Sequence, residues 1–186
     1  MKSRSLCLAL AVLCLTMRAQ AGPLMVAVAA NFAAPMEEIS AAFERDTGHR
    51  AVFAFGSSGK FYAQITNGAP FEVLLSADQQ VPLRLEQHGL TVPGTRFTYA
   101  VGKLVLWSTR KGLVDDQAAV LRGGDFRRIA VANPKLAPYG AATLAVLSRL
   151  GLLEQLRPRF VQGENITRNC VGIGAQTKHQ HPGILC

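Results

Sequence analysis

Apolar and polar positions follow two periods along this chain. Pro23 to Ala29 (PLMVAVA) is a short, uncharged, apolar run, which predicts a strand buried on both faces. From Pro35 to Thr47, Met36, Ile39, Ala42 and Phe43 recur at helical spacing, with Glu37, Glu38, Glu44 and Arg45 on the other side. Gly48 follows as the expected C-cap. His49 to Phe55 reads as a second strand, Phe55-Gly56-Ser57-Ser58-Gly59 as a turn, and Lys60 to Asn67 as a helix closed by Gly68. A third strand is predicted over Phe71 to Ser76 and a third helix over Val81 to His88, ending at Gly89. This βαβαβα order predicts an α/β fold with parallel-rich sheets, because parallel strands need crossover connections.

Further on, Tyr99 to Ser108 (YAVGKLVLWS) reads as a longer strand and a change of lobe. Ile129 to Ala132 predicts another strand, Tyr139 to Leu150 a helix, and Pro158 to Gln162 leads to a last strand and a turn at Gly163-Glu164-Asn165. No internal repeat or low-complexity segment stands out. The expected division is a signal peptide over 1–21, a first lobe over 22–98, a partial second lobe over 99–167 and an atypical tail over 168–186, expected to be disordered.

The start of the chain sets the compartment. Lys2 and Arg4 precede an apolar stretch from Leu6 to Met17, and Ala19-Gln20-Ala21 supplies the small-x-small pattern read by signal peptidase. Cleavage after Ala21 and export to the periplasm are expected. The apolar stretch falls well short of the roughly 20 residues needed to span a bilayer, and Leu13 before Cys14 argues against a lipid-modified cysteine. Cys7 and Cys14 leave with the signal, Cys170 and Cys186 lie near the end, and Gly22 to Asn169 contains no cysteine. The net charge of +8 falls to +5 once Lys2, Arg4 and Arg18 are removed. That charge is dispersed, with no dense basic block and no aromatic-basic interleaving, so no nucleic-acid partner is expected.

Candidate chemistry sits at the strand-to-helix junctions, where open α/β sheets bind ligands. Three are rich in small polar residues or glycine: Ala30-Asn31-Phe32, Gly56-Ser57-Ser58-Gly59 and Ala137-Pro138-Tyr139-Gly140. A helix N-terminus has unpaired N–H groups and a positive dipole end, so it favours an anion without a charged side chain. Asn31 and Ser58 stand where their side chains add donors; plain capping is the competing account of each. Other chemistry fits less well. Gly56-x-Ser58-x-Lys60 lacks the second glycine of a nucleophile elbow. Phe61 stands where a phosphate loop needs Ser or Thr, and Gly56 is too close to Lys60. Cys170, His179, His181 and Cys186 show no zinc-ligand spacing. Asp78 reads as a cap for the third helix, since a carboxylate repels a dianion, and Glu72 as a rim residue. The chain is not expected to be an enzyme.

Five motifs in order carry a resemblance: Val26-Ala27-Val28-Ala29-Ala30-Asn31-Phe32, Phe55-Gly56-Ser57-Ser58-Gly59-Lys60, Gly68 to Asp78 (GAPFEVLLSAD), Gly102 to Ser108 (GKLVLWS) and Ala130 to Gly140 (AVANPKLAPYG). From about Leu24 to Ile166 the chain resembles the periplasmic molybdate-binding proteins of ABC importers. The resemblance implies a type II periplasmic binding-protein fold of two lobes with an oxyanion clamped between them. It implies contacts from Asn31 and the Ala30 N–H, from Ser58, and from the N–H groups of Tyr139 and Ile166. No cofactor and no protein-held metal are implied; the metal arrives as molybdate or tungstate, the partner is an ABC permease in the inner membrane, and the binding protein is a monomer. Sulfate and phosphate are the alternative ligands, and a regulatory sensor domain is the competing class.

After Ile166 the chain departs from the family. Thr167-Arg168-Asn169-Cys170 leads into VGIGAQTKHQHPGILC, without helical or strand periodicity, and no tyrosine follows Tyr139. The sequence-level expectation is a truncated or frameshifted reading frame, with a second lobe incomplete, molybdate binding weak or absent, and solubility poor. A product without function is the corresponding alternative.

Overall fold

The computed structural model describes residues 22–123, 126–165 and 184–185. Its regular elements gather into two three-stranded sheets, each wholly parallel. In the first, β1 (Leu24–Ala29) lies between β2 (Ala51–Gly56) and β3 (Val73–Leu75). In the second, β4 (Arg128–Ala132) lies between β5 (Phe160–Gly163) and β6 (Ile184–Leu185). Both sheets therefore put the earliest strand in the middle and add the next two on either side. The sequence shows no repeat, yet the topology repeats, down to a Val-Ala-plus-Asn ending at both central strands (Val28-Ala29-Ala30-Asn31 and Val131-Ala132-Asn133).

Burial explains the composition of β1. Val26, Ala27, Val28 and Ala29 are all buried, as a central parallel strand covered on both faces requires. Val26 and Val28 join Met36 of helix α1 (Ala33–Thr47) in one cluster, with Phe32, Phe53 and Leu75 at its margin. Ala27 and Ala29 point to the opposite face, and their small side chains let helix α2 (Ser58–Thr66) pack against β1. Helix α1 ends where its sequence directs: Gly48 adopts φ 69° and donates to the Glu44 carbonyl. Glu72 extends the β1–β3 pairing with its side chain, since its carboxylate accepts the Met25 N–H at 2.9 Å while its own N–H donates to the Met25 carbonyl.

The second sheet has its own core. Ile129 and Val131 of β4 pack with Val120 and Leu121 of helix α4 (Val120–Gly123), Leu147 of helix α5 (Pro138–Arg149) and Leu156 of helix α6 (Leu153–Leu156). Helix α3 (Gln80–Gln87) belongs to the first unit, where Val81 and Leu85 are buried. Asp78 caps it as expected: its carboxylate accepts from the Val81 N–H at 3.0 Å and from the Ser76 hydroxyl at 3.1 Å.

One predicted element is absent. Tyr99 to Ser108 forms no strand; Val101, Val105 and Trp107 are exposed. Its apolar residues have the β propensity of a strand, but a strand exists only with a ladder partner, and none of the described strands pairs with this run. The signal peptide and most of the tail lie outside the described residues.

Candidate functional site

Three strand-to-helix turns, together with the turns after β3 and β5, open onto one small cavity between the two sheets, about 240 Å³ including its mouth. From the first sheet come Ala30 and Asn31, which begin a 3-10 turn directly after β1, and Ser57 and Ser58 at the start of α2. From the second come Pro138 and Tyr139 at the start of α5, and Asn165 just beyond β5. Four of the five residues expected from sequence, Ala30, Asn31, Ser58 and Tyr139, thus line a single cavity. Ile166 lies outside the described residues.

The two helix starts share a hydrogen-bond logic. At α2, the Lys60 and Phe61 N–H groups both donate to the Ser57 carbonyl at 3.1 Å, and the Gly59 N–H crosses to the Leu136 carbonyl at 2.9 Å. Of the first-turn N–H groups, which have no intrahelical acceptor, that of Ser58 is left. At α5, Pro138 contributes no N–H, while Gly140 and Ala141 donate to the Ala137 carbonyl. That leaves Tyr139. Each helix therefore keeps one backbone donor uncommitted at the residue that lines the cavity, and each adds its positive dipole end.

Side chains complete the donor set. Ser58 is fully buried, and its oxygen accepts the Ala77 N–H at 3.0 Å. With a lone pair so engaged, its proton is the group left to offer. Capping does not account for Asn31 or Ser58, because neither stands at an N-cap: those positions are held by Ala29, Phe32 and Ser57. No Asp or Glu is among the lining residues. The nearby cation, Lys60, is paired with Glu164 at 3.0 Å across the two sheet units. The attraction the cavity offers an anion is therefore dipolar rather than ionic.

Close backbone approaches hold the geometry. A Cβ on Gly59 would lie 2.9 Å from the Leu136 carbonyl oxygen, and one on Gly140 would overlap the Ala132 carbonyl. A Cβ on Gly102 would overlap the Tyr139 hydroxyl, so the 99–108 run passes hard against α5. Tyr99, in the same run, stacks edge-on against Phe32 with centroids 5.1 Å apart and donates its hydroxyl to the Ser76 carbonyl at 2.9 Å. Burial, and secondarily Tyr139, pushes the Tyr99 phenol above its ordinary value of 10.0.

Two polar lining residues, Ser57 and Asn165, both buried, are not among the site residues expected from sequence. Ser57 was visible as half of a serine pair; Asn165 was read only as part of a turn.

Residues 24–177 match the family model of bacterial extracellular solute-binding proteins. The chain is 57% identical over 150 residues to the molybdate-binding protein ModA of Azotobacter vinelandii, covering 81% of this chain and 60% of that protein. It is 53% identical over 154 residues to ModA of Rhodobacter capsulatus, covering 83% and 61%. Its structure is similar to that of the A. vinelandii periplasmic molybdate-binding protein, with a TM-score of 0.77 and 46% identity, over 81% of this chain and 68% of that one. The chain thus spans about 60% of the length of these two sequence relatives.

Proposed function

The chain belongs to the bacterial extracellular solute-binding proteins, and we propose that it captures molybdate or tungstate in the periplasm for an ABC permease. In this reading the oxyanion sits between two lobes, 22–98 and 99–167. It accepts hydrogen bonds from Asn31, the Ala30 N–H, Ser58 and the N–H groups of Tyr139 and Ile166. The observation that carries the reading is the convergence of three strand-to-helix turns, from both sheets, on a cavity with neutral donors and no carboxylate among its lining residues. A tetrahedral dianion has only acceptors to offer, so a site of donors alone matches it on every side. Hydrogen bonds to an ionised partner are also short and strong. Similarity to two molybdate-binding proteins above 50% identity favours molybdate over sulfate or phosphate.

The test is a thermal melt of the mature chain with molybdate, tungstate, sulfate and phosphate in turn. A ligand that binds only the folded state raises stability by mass action, about 4 kcal/mol at a thousandfold excess over Kd. Against the weak or absent binding expected from the departure after Ile166, the midpoint should rise with molybdate and tungstate and stay unchanged with the other two. Equal shifts with all four, or none with any, would sink the proposal.

A further inference from the structure

We infer that the Ser57 hydroxyl is an additional donor to the bound oxyanion; the inference rests on the oxyanion-binding reading above. Ser57 is the N-cap of α2, with φ −84° and ψ 146°, the extended geometry from which serine usually caps a helix. It does not cap. The Lys60 N–H, its usual target three residues on, is bonded to the Ser57 carbonyl instead, and the side chain makes no capping hydrogen bond. Ser57 is 3% exposed, and among the described residues its Oγ is the buried side-chain atom that lacks a hydrogen-bond partner. Buried hydroxyls are nearly always paired, so an orphan calls for an account. The account is its position: Ser57 lines the same cavity as Asn31, Ser58 and Tyr139.

The two adjacent serines then divide the work. Ser58 is held by the Ala77 N–H, which fixes its hydroxyl as a donor. Ser57 has no such hold, so its O–H is free to turn toward whichever oxyanion oxygen comes within reach. A rotatable donor tolerates the different metal–oxygen lengths of larger oxyanions better than rigid backbone N–H groups do. It should therefore add to the binding of molybdate and tungstate alike.

Calorimetric titration of the mature chain and its Ser57→Ala and Ser57→Thr variants with molybdate, tungstate and sulfate tests this. Ser57→Ala should weaken molybdate binding about tenfold or more, the usual effect of losing a hydrogen bond to a charged partner. Ser57→Thr, which keeps the hydroxyl, should restore most of the affinity. The ligand-free melting midpoint of Ser57→Ala should be unchanged or slightly higher, because an unpartnered buried group has been removed. Unaltered molybdate affinity in a folded Ser57→Ala variant overturns the inference, while the oxyanion reading stands. A lowered ligand-free midpoint with normal affinity overturns it too, since that marks a structural role. If the parent chain binds none of the three ions, the underlying reading falls and this one with it. Should Ser57→Ala not fold, the Ser57→Thr variant decides: near-parental affinity supports the assignment, and a loss like that of a missing donor rejects it.

Discussion

The Gly59 N–H donates to the Leu136 carbonyl at 2.9 Å, and a Cβ built on Gly59 would stand at that same 2.9 Å from the same oxygen. The contact joins α2 of the first unit to the loop before α5 of the second, one residue from Ser58 and three from Tyr139. Any side chain there must push backbone from backbone, because Leu136 Cα, at 3.1 Å, is no more yielding than the oxygen. Gly59→Ala should therefore part the two edges of the cavity. We expect a loss of about 1–3 kcal/mol in stability, as for other overpacked sites, and a lower oxyanion affinity. Urea unfolding and titration calorimetry check this; a variant that binds and unfolds like its parent would show that the approach is not tight in solution.

Tyr99 gives a pH signature. Its phenol titrates above the ordinary value of 10.0, chiefly because burial disfavours the phenolate. The folded state thus holds this proton more tightly than the unfolded chain. The corresponding stability is fully present below pH 10 and is lost as pH rises through the raised value. Tyr99→Phe should remove the bond to the Ser76 carbonyl, costing about 0.5–1.5 kcal/mol near neutrality. It should also flatten the decline above pH 10. An identical alkaline decline in both proteins would assign it to other groups.

Gly140 supports α5 against the end of β4. With its Cβ position filled by the Ala132 carbonyl, Gly140→Ala should destabilise by more than about 3 kcal/mol. Gly123, whose Cβ position is open, should tolerate alanine with little change. Melting midpoints of the two variants, compared side by side, separate a packing effect from the general cost of replacing glycine.

The Lys60–Glu164 pair is easily overrated. Lys60 is about half exposed and Glu164 about a quarter, so water screens the pair, and exposed ion pairs contribute about 0–1 kcal/mol. Lys60→Gln should shift the melting midpoint only slightly. Its effect should appear in the salt dependence of oxyanion association, which would weaken if Lys60 steers the ion toward the cavity. An unchanged salt dependence would leave steering to the helix dipoles alone.

What could be read from the residues follows from how local each signal is. The helices expected over Pro35 to Thr47 and Tyr139 to Leu150 correspond to Ala33–Thr47 and Pro138–Arg149, because helical spacing, the Gly48 cap and a run of small residues act within a turn or two. The three junctions were visible too, since small residues after a buried strand have few other uses. The run from Tyr99 to Ser108 was misread as a strand because its composition is local but its pairing is not. Ser57 escaped notice for a subtler reason. A serine before a helix is ordinarily its cap, and only the bond from Lys60 back to the Ser57 carbonyl reveals that this hydroxyl is uncommitted.

Placing the earliest strand at the centre of the first sheet also constrains how the chain reaches its fold. Leu24 pairs with Ala51, 27 residues on, and Val26 with Val73, 47 residues on, so neither ladder can begin as a hairpin. Non-local parallel pairings form slowly, because long loops must close before any ladder bond compensates for them. While Val73 is still to come, Val26 and Val28 stay uncovered on one edge, and the nascent segment is open to premature association. Within its sheet, β1 is the first strand to be made and the last to be paired along both edges.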